Sequence, residues 1–269
     1  MNIVDVGAGP PLVLIPGVQG RWEWMRPGVE ALSRHYRVLT FSLGDEPASG
    51  YDFKVAEGFS NYVAQIEAVM DTAGVRTAII CGLSYGGLIA AAIAARHPDR
   101  TSALVLLSAL PPRWQADSRA RFYLRFPRLL FPLFALQSLR LTREIRAARD
   151  TLFDGLAMSV THGWNVVSHP TSPVRMARRV RFLEQLDLEV ELSRLNVQTL
   201  IVTGEDRLDH VVPPMRTREY LKLWPQATSL TLTRTGHLGL ITRPDELISM
   251  LAKFLQPLAV PAAARRQVG

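Results

Sequence analysis

The chain contains one short stretch whose residue types and spacing suit nucleophilic catalysis. Gly82-Leu83-Ser84-Tyr85-Gly86-Gly87 places a serine between glycines two residues before it and two residues after. A serine hydroxyl becomes a useful nucleophile only when a base removes its proton and the backbone presents its oxygen. A buried-strand pattern, Thr77–Leu83, runs directly into the motif, and a helix of small residues follows it. Strand, sharp turn and helix together would hold the serine in a strained conformation with its Oγ above a sheet. The neighbouring backbone then passes so close that Gly82 and Gly86 must lack side chains. The bland alternative is a glycine-rich turn with an incidental serine, and the flanking strand and helix argue against it.

The base should be a histidine oriented by a carboxylate. His237, in Thr235-Gly236-His237-Leu238, follows the last expected strand and precedes the last expected helix. His35 and His97 sit at helix ends, His162 and His169 fall in the middle third, and His210 adjoins the candidate acids. Glu205, Asp206 and Asp209 all follow the strand Gln198–Thr203, at the carboxyl end where open α/β sheets carry their sites. A tetrahedral intermediate also needs two backbone N–H donors. The residue after the nucleophile, Tyr85, supplies one, and Val18, in the loop Pro16–Gly20 after the first long strand, is assigned the other.

The elements expected to position these groups alternate. Pro11–Pro16, Arg37–Leu43, Thr77–Leu83 and Ala103–Ser108 are continuous apolar runs, as in strands buried on both faces. Helical stretches near Trp22–His35, Glu57–Ala73 and Tyr85–His97 separate them. The alternation stops at Pro111 and resumes at Gln198. A helix follows at Pro214–Trp224, a strand at Thr228–Leu232 and a helix at Asp245–Leu255. Between residues 112 and 185, thirteen basic side chains face five acidic ones, a local excess that outweighs the whole chain's net charge of +7. Pro127 and Pro132 should break the leucine-, phenylalanine- and arginine-rich segment Phe122–Leu141 into short helices. We therefore expect an α/β core at 1–111 and 192–256, a helical lid at 112–191, and a flexible tail at 257–269.

These features together resemble the α/β-hydrolase fold superfamily, in its lid-bearing branch of serine esterases and related hydrolases. Gly86–Leu107 and the closing block from Gly236 through Pro244 to Leu255 carry most of the likeness. The resemblance implies a mostly parallel open sheet flanked by helices, with a mainly helical lid inserted after the sixth strand. It implies hydrolysis through an acyl-enzyme, on a carboxylic ester of a small to medium apolar substrate, without metal or organic cofactor. Alternatives with the same residues are C–C bond, thioester or lactone hydrolysis, perhydrolysis, or a ligand receptor with little turnover. Two departures stand out. Pro16-Gly17 replaces the family's His-Gly, so the loop loses a side chain that normally helps hold it. The acid loop has gained two residues: spacing from Gly204 lands on Arg207, whereas spacing back from Pro213 lands on Asp209, with Asp206 in reserve.

The first residues lack the basic segment and apolar run of a secretory leader, and the single cysteine, Cys81, allows no internal disulfide. A soluble, cytoplasmic protein with a small-molecule substrate is expected. No nucleic-acid motif accompanies the charge. The basic lid could meet an anionic substrate, an acidic partner or a membrane surface, or form a solvated basic face. Trp114, Trp164 and His162 are candidate pocket residues in the lid. Oligomeric state is not readable from the sequence.

Overall fold

The computed structural model describes residues 1–137, 141–184 and 186–259. Seven strands form one sheet: β1 (Val4–Val6), β2 (Pro11–Ile15), β3 (Arg37–Thr40), β4 (Ala78–Leu83), β5 (Thr101–Leu107), β6 (Thr199–Thr203) and β7 (Thr228–Thr231). Their order is β1-β3-β2-β4-β5-β6-β7, and every pairing is parallel except that of β1 with β3. The inner strands are buried on both faces, which explains their unbroken apolar runs. On β2, Val13 and Ile15 pack into one core and Leu12 and Leu14 into the other. On β4, Ile80 joins the first core, while Ile79 and Cys81 join the second.

Helices α2 (Ser60–Thr72) and α3 (Tyr85–Arg96) cover the first face; α1 (Arg26–Leu32) and α13 (Pro244–Ala259) cover the second. The alanines of α3 let it lie close to the sheet, and residues 88–94 are all essentially buried. The short antiparallel β1 is absent from the sequence expectations. It has three residues, and two of them are exposed, so it carries no buried run.

The helical insert leaves β5 and returns at β6. It therefore follows the fifth strand, not the sixth, because the chain ahead of β2 contributes one short strand. Its helices are α4 (Ser118–Arg125), α5 (Pro127–Gln137), α6 (Leu141–Ala148), α7 (Leu152–Ser168), α8 (Pro173–Glu184) and α9 (Glu189–Ser193). Pro127 opens α5, as the sequence suggests, but Pro132 lies within it without ending it. Pro132 is exposed, as is Arg128 one turn before it, so water can satisfy the carbonyl that proline leaves without a donor. The stretch 214–224 is two single turns, α10 (Pro214–Thr217) and α11 (Tyr220–Leu223), rather than one helix. Near the carboxyl terminus α12 (Gly239–Thr242) precedes α13, which continues to Ala259, beyond the expected end at Leu255. The rest of the expected tail, 260–269, lies outside the described residues. Among the described residues no helix is long and apolar enough to cross a membrane.

Packing at the β4–α3 turn allows a direct check. A Cβ on Gly82 would lie 2.1 Å from the Gly86 carbonyl oxygen, and one on Gly86 would lie 2.5 Å from the Ile15 and Pro16 carbonyls. Backbone cannot yield as a side chain can, so Gly86→Ala should destabilise the protein by about 3 kcal/mol or more. Urea unfolding monitored by circular dichroism measures this, and a loss well under 1 kcal/mol would contradict the packing described.

Candidate active site

Ser84 stands between β4 and α3 with φ 55° and ψ −116°, in the left-handed half of backbone space that non-glycine residues rarely occupy. Its N–H donates to the Leu107 carbonyl (2.9 Å), and its carbonyl accepts from Gly87 (2.9 Å) and Leu110 (3.2 Å). The turn is thus tied to β5 on one side and to its own helix on the other. Gly17 borders the serine: a Cβ there would be 3.6 Å from Ser84 Cβ. The Pro16–Gly20 loop therefore lies beside Ser84, and Tyr85, fully buried, begins α3 immediately after that serine.

His237 follows β7 in a loop pressed against the acid loop. A Cβ on Gly236 would fall 2.6 Å from Asp209 N, so glycine there lets the two backbones touch. His237 Nδ1 lies 3.3 Å from Asp209 Oδ2, and both side chains are almost wholly buried. The second carboxylate oxygen, Oδ1, accepts from Val211 N–H (3.0 Å) and Val212 N–H (2.9 Å). Burial pushes the Asp209 carboxyl up. The His237 contact and these two donors outweigh that effect and hold it below the usual carboxylate range.

The other two candidate acids lie apart from the histidine. Asp206 is largely exposed, with Arg218 3.6 Å away. Glu205 accepts from Arg234 N–H (2.6 Å) and pairs with Arg207 (2.7 Å). The structure thus brings Asp209 to His237, and leaves Asp206 in the solvent. Leu83, the residue before Ser84, shares the wall of one small cavity with Ser108, Thr203, Gly236 and His237.

A larger cavity of about 390 Å³ lies between the core and the insert. Its wall is mainly apolar and includes Trp114, Leu124, Phe131, Met176, Val180 and Val211, with Asp117 and His210 as polar members. Val18 lines it too, so the cavity reaches the loop beside Ser84. Of the three candidate lid residues, Trp114 lines the cavity. Trp164 is 71% exposed on α7, and His162 packs edge-on against Trp24 in the core, with ring centres 6.3 Å apart. Burial pushes the His162 imidazole down. Among the described residues, no group of three or more His, Cys, Asp or Glu side chains is arranged to hold a metal ion.

Residues 12–250 match the sequence profile of the alpha/beta hydrolase family. The chain belongs to the alpha/beta hydrolase family. Among relatives of this alpha/beta hydrolase, the pimeloyl-[acyl-carrier protein] methyl ester esterase of Aliivibrio salmonicida is 30% identical over 258 residues, covering 93% of this chain and 94% of that one. A putative carbamate hydrolase RutD of Agrobacterium fabrum is 26% identical, covering 92% and 94%. Solved structures share the fold. The enol-lactonase of Burkholderia xenovorans LB400 has a TM-score of 0.74 at 23% identity, covering 94% of this chain and 95% of its own. A thermophilic esterase of Thermogutta terrifontis has a TM-score of 0.78 at 20% identity, covering 96% and 94%.

Two charged residues of the insert, neither singled out by sequence, brace the loops around the site. Arg179 of α8 reaches the Val18 carbonyl, 2.8 Å away. Glu144 of α6 is fully buried, and its Oε1 accepts from Thr235 Oγ1 (2.8 Å) and from Leu238 N–H, on either side of His237. Burial raises the Glu144 carboxyl above its ordinary value, although Thr235, Gly236, His237 and Leu238 each favour its charged form. A carboxyl raised on folding makes the native state bind a proton that the unfolded state has released, so stability falls as pH rises from the ordinary carboxylate value through the raised one. In Glu144→Gln that decline should vanish. Urea midpoints across pH 4–8 check it (a window of about four pH units around these carboxylate values), and a variant profile parallel to wild type would refute the assignment.

Proposed function

We propose that this hydrolase cleaves a carboxylic ester through a serine acyl-enzyme. The observation that supports the reading best is a left-handed Ser84 on the turn after β4 together with a buried His237–Asp209 pair, 3.3 Å apart, on loops at the same carboxyl edge of the sheet. In this reading Ser84 Oγ attacks the ester carbonyl while its proton passes to His237 Nε2. Asp209 holds the ring through Nδ1 and offsets the positive charge that develops on it. The carbonyl oxygen becomes an oxyanion, received by the N–H groups of Val18 and Tyr85. Collapse expels the alcohol, which takes the proton from His237, and leaves the acyl group on Ser84. Water then attacks the acyl carbon, gives its proton to His237, and releases the acid as that proton returns to Ser84.

The apolar cavity of about 390 Å³ has the size and lining for a small to medium apolar group on the acyl or the alcohol side. The names of two relatives are consistent with such chemistry: a methyl ester esterase and a putative carbamate hydrolase both denote attack on an acyl carbon. No metal or cofactor takes part in this sequence of steps.

Ser84→Ala should abolish both turnover of small activated esters and labelling by a fluorophosphonate. Asp209→Asn should lower kcat by about 10³–10⁴-fold, since the carboxylate fixes the tautomer and the developing charge. Asp206→Asn, which touches only an exposed ion pair, should stay within about threefold of wild type. Steady-state kinetics on a p-nitrophenyl ester series tests all three. Full labelling of Ser84→Ala, or equal losses at Asp206 and Asp209, would overturn the assignment.

A further inference from the structure

Arg179 carries a permanent charge in the middle of α8, yet has no exposed surface. Such a group persists in an interior only where partners replace its water. Here the partners are specific. Nε donates to Asp45 Oδ1 (2.9 Å), and Nη2 donates to Asp45 Oδ1 and Glu46 Oε1 (both 2.6 Å). The remaining nitrogen, Nη1, donates to the Val18 carbonyl (2.8 Å). Arg178 and Arg175, on the rim, pair with the outer oxygens of the same two carboxylates (3.2 and 3.1 Å).

This fork closes a ring around the loop beside Ser84. The Gly17 carbonyl accepts from Gly20 N–H (2.9 Å), and the Gly20 carbonyl accepts from Leu43 N–H (2.8 Å), two residues before Asp45. The described peptides are trans, so the Gly17 carbonyl and the Val18 N–H lie in one plane and point in opposite directions. The bond from Gly20 therefore sets the direction of the Val18 N–H. Gly20 itself, at φ 74°, lies flat against the guanidinium: a Cβ there would be 2.4 Å from Arg179 Nη1. On the other side, the Tyr85 hydroxyl donates to the backbone carbonyl of Arg179 (3.3 Å). One residue of the insert thus touches both residues assigned as oxyanion donors.

We propose that Arg179 is a positioning residue that clamps the Val18 turn from the insert, so that oxyanion stabilisation depends on α8 being seated on the core. The proposal rests on the acyl-enzyme reading given above. The side chain that holds the Pro16–Gly20 loop thus comes from 161 residues away.

Arg179→Lys tests it, because one ammonium can pair with a carboxylate but cannot also span the second carboxylate and the Val18 carbonyl as a planar fork does. A second variant, Arg179→Met with Asp45→Asn, removes the fork, keeps the interior filled and takes away one positive and one negative charge together, leaving Glu46 paired with Arg175. For each, thermal unfolding, kcat and KM on an activated ester are measured. Affinities follow for a trifluoromethyl ketone, which forms an oxyanion on serine, and for the product acid, which does not. The expected kcat is lower by about 10–100-fold, because a donor displaced by a fraction of an ångström loses much of its effect. KM and product-acid affinity should stay within about threefold, with ketone affinity falling in step with kcat/KM. Folded variants with wild-type kcat, or a ketone loss no larger than the product-acid loss, would overturn the clamp. If Ser84→Ala is inactive while the Arg179 variants are fully active, the clamp fails and the ester-hydrolase reading stands. An active Ser84→Ala overturns that reading itself.

Discussion

Ser84 holds a backbone conformation that costs a non-glycine residue about 1–3 kcal/mol, and the surrounding structure exists in large part to enforce it. β4 enters the turn as a central strand, fully buried along its length, and α3 leaves it packed on the same sheet. Hydrogen bonds to Leu107, Gly87 and Leu110 leave the residue no easier conformation. Gly82 and Gly86 are required because backbone passes within about 2–2.5 Å of where their Cβ atoms would be. Every other member of the site is placed relative to this turn. Because β2, β4, β6 and β7 run parallel, their carboxyl ends share one edge, and the loops that leave them carry Val18, Ser84, Asp209 and His237.

The insert does more than cover that edge. Arg179 reaches the Val18 loop, and Glu144 reaches the turn on both sides of His237. Both are buried charged groups, and both bond backbone in the loops they meet. Burying them is costly unless the partners stay in place, which makes their contacts all-or-none rather than graded. A carboxylate pair at Asp45 and Glu46 answers the guanidinium, so the loop after β3 also depends on α8.

What the sequence reveals follows from how local each signal is. Ser84 and Tyr85 are legible because a strand, a tight turn and a small-residue helix are contiguous. His237 is legible from its place after the last strand. Asp209 needed spacing to Pro213 to separate it from Asp206, and the physical reason appears only in three dimensions: Gly236 lets the histidine loop touch Asp209 while Asp206 turns to solvent. β1 escaped because a half-exposed edge strand of three residues has no buried run. Arg179 and Glu144 escaped for a different reason. Each belongs to a stretch that reads as basic surface, yet its partners lie 161 and 134 residues away for Arg179, and 91 and 94 for Glu144. No periodicity records such pairings.

The central claim is that the acyl group resides on Ser84 during turnover. Rapid quenching of the wild-type enzyme with a slowly deacylating activated ester, followed by proteolysis and tandem mass spectrometry, reads this directly. The account predicts the acyl mass on the peptide containing Ser84, with fragment ions placing it on that serine. An acyl group on any other residue, or turnover with no covalent adduct under conditions where deacylation limits the rate, would contradict it.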